Sequence, residues 1–143
     1  MSLVFDTQRV SKWLDKQLGY DVPAPVHHAI GFEVDGKLTA AVCFDGYMQN
    51  NINAHIVSRA NRIPTDLIVA TARYAYEQCG LDRVTFVTPE SHKEAIDLVT
   101  GMNAQFEGRM VRAMKDCDVL RWVMWKNAPF AQRCLARDGR GIQ

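Results

Sequence analysis

The sequence predicts an α/β fold, a central twisted mixed sheet of about six to seven strands flanked by helices. Three observations predict it. Asp35-Gly36 lies between two apolar runs and is a favoured two-residue hairpin turn, since both central positions need positive φ. From Tyr74 to Thr88 an amphipathic helix ends in Gly80 and an apolar strand begins within three residues, as in a parallel crossover. Strand-like runs recur on either side of the turn Lys115-Asp116-Cys117-Asp118. Antiparallel signals at both ends and a crossover between them require a mixed sheet, with a splay between the strand near His55 and the one near Phe86.

The elements follow in order. Thr7 to Leu18 places Val10, Trp13, Leu14 and Leu18 at helical spacing before Gly19. Asp21 to Pro25 holds two prolines and reads as a loop. His28 to Val34 and Leu38 to Phe44 read as strands. Asn51 to Val57 alternates Ile52, Ala54 and Ile56 against Asn53, His55 and Val57, the period of a half-buried strand. Ser58 to Pro64 is a polar loop, after which Thr65 is placed to cap a helix with Asp66 near its positive end. Leu67, Ile68, Ala70, Thr71, Tyr74 and Ala75 give that helix one broad buried face. Arg83 to Thr88 is a short β-branched run suited to a central parallel strand. Ser91 with Glu94 three residues on matches a capping box. Phe106 to Ala113 and Val119 to Trp125 close the sheet. Residues 1–126 thus form a single domain, and 127–143, with Arg133, Arg137 and Arg140, read as a partly ordered C-terminal tail.

Bulk properties restrict the function. A chain of 143 residues with 48% hydrophobic content fits one core. Its net charge of +1 supplies no global field for nucleic acid or an anionic membrane. No apolar run approaches a membrane span, and Met1 to Tyr20 is too charged for a secretory signal. The four cysteines never form a C-x-x-C pair, which favours reduced thiols in the cytoplasm over disulfides or zinc. His27-His28 is a poor metal pair, because adjacent strand residues face opposite ways. Trp122 and Trp125 likewise point to opposite faces and make no stacking platform. Cys79 near a helix C-terminus reads as a structural thiol.

Tyr74-Ala75-Tyr76-Glu77-Gln78-Cys79-Gly80-Leu81-Asp82-Arg83-Val84 resembles the helix-to-strand segment of the ribosomal-protein branch of the GNAT N-acetyltransferase superfamily. Gly101-Met102 stands where that branch has Gly-Phe, and Phe106-Glu107-Gly108-Arg109 and Asp118 to Met124 resemble its last two strands. The resemblance covers roughly residues 28–126 and extends loosely to phage-encoded members. It implies acetyl-CoA as co-substrate and a primary amine, on a protein or small molecule, as acceptor, in a monomer or homodimer. It places the pantetheine arm along Asn53 to Val57, including Ile56 and Val57. It places the pyrophosphate at the loop and helix start holding Arg59, Arg62, Thr65 and Asp66, where free N–H groups are available. The family loop is glycine-rich. This one has no glycine, and Arg59 and Arg62 offer charged donors in place of backbone ones, or are solvated loop charges.

His55 is the candidate base, since histidine titrates near physiological pH, and Asn53 on the same face is placed to orient substrate or water. The competing reading of His55 is a packed structural histidine. No acidic side chain is expected on that strand face. His92 stands where the family often has an asparagine near the cofactor, or is an exposed first-turn residue. The family's tyrosine and serine acids are replaced by Leu98-Val99 and Ala95. Water is then left to protonate the thiolate, a tolerable leaving group at a thiol pKa of ~8.5. These replacements also admit a second class of function, a catalytically inactive GNAT-fold binding module.

Overall fold

The computed structural model describes residues 1–18, 28–59 and 62–137. Among the described residues, seven strands form one sheet in the order β1-β2-β3-β4-β5-β7-β6. They are β1 (Ser2–Val4), β2 (His28–Val34), β3 (Lys37–Asp45), β4 (Asn51–Ser58), β5 (Arg83–Pro89), β6 (Gln105–Met110) and β7 (Val119–Trp125). The helices are α1 (Thr7–Leu18), α2 (Thr65–Ala72), α3 (Lys93–Gly101) and α4 (Pro129–Ala136). α2 continues into a π-helical segment, Arg73–Gln78. Every neighbouring pair is antiparallel except β4 with β5. The hairpin turn is as the sequence requires, with φ of 52° at Asp35 and 78° at Gly36.

The parallel pair positions everything that follows. β4 and β5 are joined from Asn51↔Arg83 to Ala54↔Phe86 and then diverge. Beyond that pair, His55 to Ser58 remain bonded only to β3 and Val87 to Pro89 only to β7. The expected splay is present.

Two apolar clusters hold the layers together. On one face α2, α3 and α4 pack against Ile30, Val42, Phe44, Ile52, Ala54, Val84, Phe86 and Trp122. On the other, Val10 and Leu14 of α1 cover Ala29, Ala41 and Cys43. α1 lies so close that a Cβ on Gly31 would sit 2.7 Å from Leu38 Cδ2 and 3.0 Å from Val10 Cγ2, so glycine permits that approach. Two buried polar side chains cross between elements: Tyr76 donates to the Met124 carbonyl at 2.6 Å and Trp122 Nε1 to Thr88 Oγ1 at 2.9 Å.

Several elements depart from the sequence reading. β1, three residues long, shows no period. Asp6 caps α1, accepting from the Arg9 N–H at 3.1 Å. α2 is buried nearly all round rather than amphipathic, and Thr65 does not cap it. Pro64 holds the N-cap position, with no side-chain cap. The Ser91–Glu94 capping box is not formed either. A turn in which the His92 N–H donates to the Pro89 carbonyl at 2.9 Å delays α3, and His92 becomes its N-cap. β6 ends at Met110 rather than Ala113, because Arg112 turns to φ 52° and donates its N–H to Asp118 Oδ1 at 2.8 Å. In the segment expected as a tail, α4 starts at Pro129 and buries Ala131 and Cys134 in the core; residues 138–143 lie outside the described residues. The proline loop at 21–25 and His27 also lie outside them.

Candidate functional site

β4 alternates as its pattern requires. Ile52 and Ala54 are buried toward α2, while Asn51, Asn53 and His55 are half-buried on the α1 side of the sheet. His55 lies opposite Cys43 and Asn53 opposite Asp45 in the β3–β4 register. That register creates the main feature of this face. Asp45 Oδ2 lies 2.9 Å from His55 Nε2, and Asp45 Oδ1 accepts from Asn53 Nδ2 at 3.1 Å. The carboxylate therefore holds both residues at the point where β4 and β5 part. An acidic group does face His55, contrary to the sequence expectation; it belongs to the neighbouring strand. Gly46 makes the arrangement possible. At φ 60°, its missing Cβ would stand 2.4 Å from Asn53 Nδ2.

The polar contacts continue across the same face. Asn51 Nδ2 donates to Asn53 Oδ1 at 3.4 Å, and Asn51 Oδ1 accepts from Thr85 Oγ1 at 2.7 Å and from Arg83 Nε at 2.9 Å. Arg83 reaches Glu107 at 2.7 Å and lies over the Trp125 ring, 5.3 Å from its centroid; Arg121 lies 3.4 Å from the same carboxylate. The hydrogen bond from Arg83, with the charges of both arginines, holds the Glu107 carboxyl below its usual range. A row of bonded side chains thus links β3, β4, β5 and β6, each member limiting the rotamers of the next.

This geometry has a definite chemical capacity. When Nε2–H is donated to Asp45, the neutral imidazole presents Nδ1 as its basic nitrogen. The carboxylate also stabilises the imidazolium formed when Nδ1 takes a proton. The pair is mostly buried, with side chains 27% and 15% exposed, so that contact is only partly screened by water.

The remaining sequence candidates fall around the splay. Ile56 and Val57 sit on the diverging part of β4, Ile56 packed toward α2 and Val57 toward α1. The Arg59 N–H donates to the Thr39 carbonyl at 2.8 Å, and the Arg62 carbonyl accepts from Ser58 Oγ at 3.2 Å. Both arginine side chains are exposed and have no carboxylate partner among the described residues. Thr65 and Asp66 open α2, where the first amides have no helical acceptor. His92 is exposed at the start of α3, and no bond joins it to His55 among the described residues. Sequence reasoning missed Asp45, Asn51, Arg83, Thr85 and Glu107. The hairpin register could have revealed Asp45, since residues paired across antiparallel strands lie about 5 Å apart.

Other groups separate from this site. His28 stacks on Tyr74 at 4.4 Å, and no cluster able to hold a metal ion exists among the described residues. Burial, reinforced by Asp45 and Asp15, raises the Cys43 thiol to about 12, which makes it a poor nucleophile at neutral pH. Cys79 is half-buried. Trp122 is buried and Trp125 exposed, on opposite faces as expected.

No protein-family model and no curated protein matches the chain. Solved structures do. A spermidine N-acetyltransferase chimera of Vibrio cholerae SpeG and hSSAT is 12% identical with a TM-score of 0.71, over 94% of this chain and 98% of that one. A GNAT-family acetyltransferase from Bacillus anthracis is 11% identical with a TM-score of 0.60, over 82% and 73%. YncA from Salmonella typhimurium, solved with its cofactor acetyl-CoA, is 14% identical with a TM-score of 0.59, over 82% and 72%. The chain spans 61% of one further match, a probable acetyltransferase. At these identities the likeness is one of fold, and the fold is that of the GNAT acetyltransferases.

Proposed function

We propose that this protein is an N-acetyltransferase that moves an acetyl group from acetyl-CoA to a primary amine of a protein or small molecule. The observation that carries the reading is the coincidence of two features: the strands part after Ala54↔Phe86, and the His55–Asp45 pair stands at that fork. The residues around the fork fit the co-substrate. The diverging edges of β4 and β5 leave backbone groups that face no strand partner, suited to an amide-bearing arm along Ile56 and Val57. Arg59, Arg62 and the opening amides at Thr65 and Asp66 suit a pyrophosphate, with charged donors standing where glycine would allow close backbone approach. His92, at the start of α3, flanks the other side.

Acetyl-CoA supplies a thioester whose carbonyl carbon bonds the amine nitrogen as the C–S bond breaks. His55 takes the proton that the amine loses, through Nδ1, directly or by way of one water. Asp45 keeps Nε2 protonated and carries the balancing charge, while Asn53 fixes Asp45 from its other oxygen. The thiolate takes the imidazolium proton, directly or relayed through a water, which returns His55 to its starting state. A protein of the ribosomal-protein N-acetyltransferase branch, in the cytoplasm and with its cysteines as thiols, fits this reading. A polyamine acceptor, as acted on by the spermidine N-acetyltransferase neighbours, belongs in the first test set.

The test is release of free thiol from acetyl-CoA with a panel of polyamines, amino acids and peptides, on the wild type and on His55→Gln. The account expects turnover with at least one amine and a loss of about 10²-fold in the variant. A fully active His55→Gln enzyme would remove the base. CoA binding without acetylation of any amine in the panel would leave a binding module.

A further inference from the structure

A second polar feature lies outside the fork. α1 and the β2–β3 turn flank an open surface hollow of about 610 Å³, lined by Arg9, Lys12, Trp13, Lys16, Lys37 and Leu38. Four of these six carry positive charge, and among the described residues no acidic side chain lines it. Arg9 is already engaged: it pairs with Glu33 at 3.1 Å and donates to the Gly36 carbonyl at 3.1 Å. Lys12, Lys16 and Lys37 are exposed and have no carboxylate partner among the described residues.

This arrangement is unfavourable for an empty surface. Lys12 and Lys16 stand at i and i+4 on one helix face, a spacing at which like charges repel. Lys37 adds a third ammonium from the facing turn. An anion in the hollow removes that repulsion. Lys12 and Lys16 lie one helical turn apart with Lys37 opposite, so three ammoniums can reach one extended chain of phosphates. Trp13 and Leu38, both half-buried, give the hollow an apolar floor on which a flat ring can lie.

We infer that this hollow binds a nucleoside polyphosphate, its phosphates on Lys12, Lys16 and Lys37 and its base against Trp13. None of its lining residues belongs to the fork, so the site stands or falls independently of acetyl transfer. A hollow of this size matches a small ligand rather than a membrane surface.

The test is calorimetric titration of the full chain with ATP, inorganic triphosphate and adenosine. It is run on the wild type, on Lys12→Ala combined with Lys37→Ala, and on Trp13→Leu. ATP should bind and adenosine alone should not. The lysine variant, altered only at exposed positions, should weaken ATP at least about tenfold, and added salt should weaken it in the wild type. Trp13→Leu should weaken ATP several-fold and leave triphosphate unchanged, which separates ring stacking from charge. ATP binding should be unchanged in Arg59→Ala combined with Arg62→Ala, because neither residue lines the hollow. No ATP binding at millimolar concentration, unchanged affinity in the lysine variant, or affinity lost in Arg59→Ala combined with Arg62→Ala would overturn the assignment. So would equal affinity for ATP and triphosphate, or an RNA oligonucleotide that binds where ATP does not.

Discussion

In Asp45→Asn the new side chain keeps the shape of the old one, yet the hydrogen bonds around it reverse a proton. Asp45 Oδ1 accepts from Asn53 Nδ2 at 3.1 Å, and Oδ2 faces His55 Nε2 at 2.9 Å. The introduced amide oxygen keeps the Asn53 contact, which turns its NH₂ toward Nε2. Nε2 must then accept, so the ring proton moves to Nδ1 and the basic nitrogen is lost. The carboxylate that balances the imidazolium is lost with it. A hydrogen bond to a charged group is worth about 1.5–3 kcal/mol, which corresponds to a fall of about 10- to 100-fold in turnover. The assay is initial-rate thiol release with an amine identified from the panel, and the KM for acetyl-CoA should hardly change. Nitrogen chemical shifts of the His55 ring report the tautomer without any acceptor. An unchanged tautomer would refute the hydrogen-bond reasoning. A reversed tautomer with an undiminished rate would refute the role of His55 as base.

Two further variants test the supports of the site. Gly46→Ala should cost about 1–3 kcal/mol from the positive φ alone and displace the Asn53 amide from Asp45. Thermal unfolding should then move down by roughly 2–12 °C, and a wild-type melting temperature would refute the crowding. Glu107→Gln tests the charged end of the row. Because Arg83 holds the folded carboxyl below its usual value of 4.5, its contribution is full above pH 4.5 and is lost as pH falls through the lower folded value. The variant should therefore unfold at lower urea than the wild type at pH 7, and the difference should narrow as pH falls below 4.5. A difference that persists undiminished in acid would contradict this.

The parts of the fold legible in the sequence are those written in local periodicity. Thr7–Leu18 repeats its apolar residues at helical spacing, and Asp35-Gly36 can hardly be anything but a tight turn. The splay was expected from the family resemblance, in which the strand that carries the pantetheine arm parts from its neighbour. What failed was set by backbone register or distant contacts. In the π-helical segment the Cys79 N–H donates to the Tyr74 carbonyl at 2.8 Å, a shift that side-chain spacing does not encode. At the site, His55 and Asn53 were visible because they alternate with apolar residues on one strand. Asp45 was not, because ten residues and a hairpin separate it from His55, and only the β3–β4 register brings the two together.

The most direct test of the account is calorimetric titration of CoA into the wild type and into Arg59→Ala combined with Arg62→Ala. Both side chains are exposed, so the variant keeps the fold, and each removes one charged donor from the loop that leads from the splayed β4 into α2. The account predicts binding in the wild type and affinity lower by about tenfold or more in the variant. No binding in the wild type, or equal affinity in the two proteins, would contradict it.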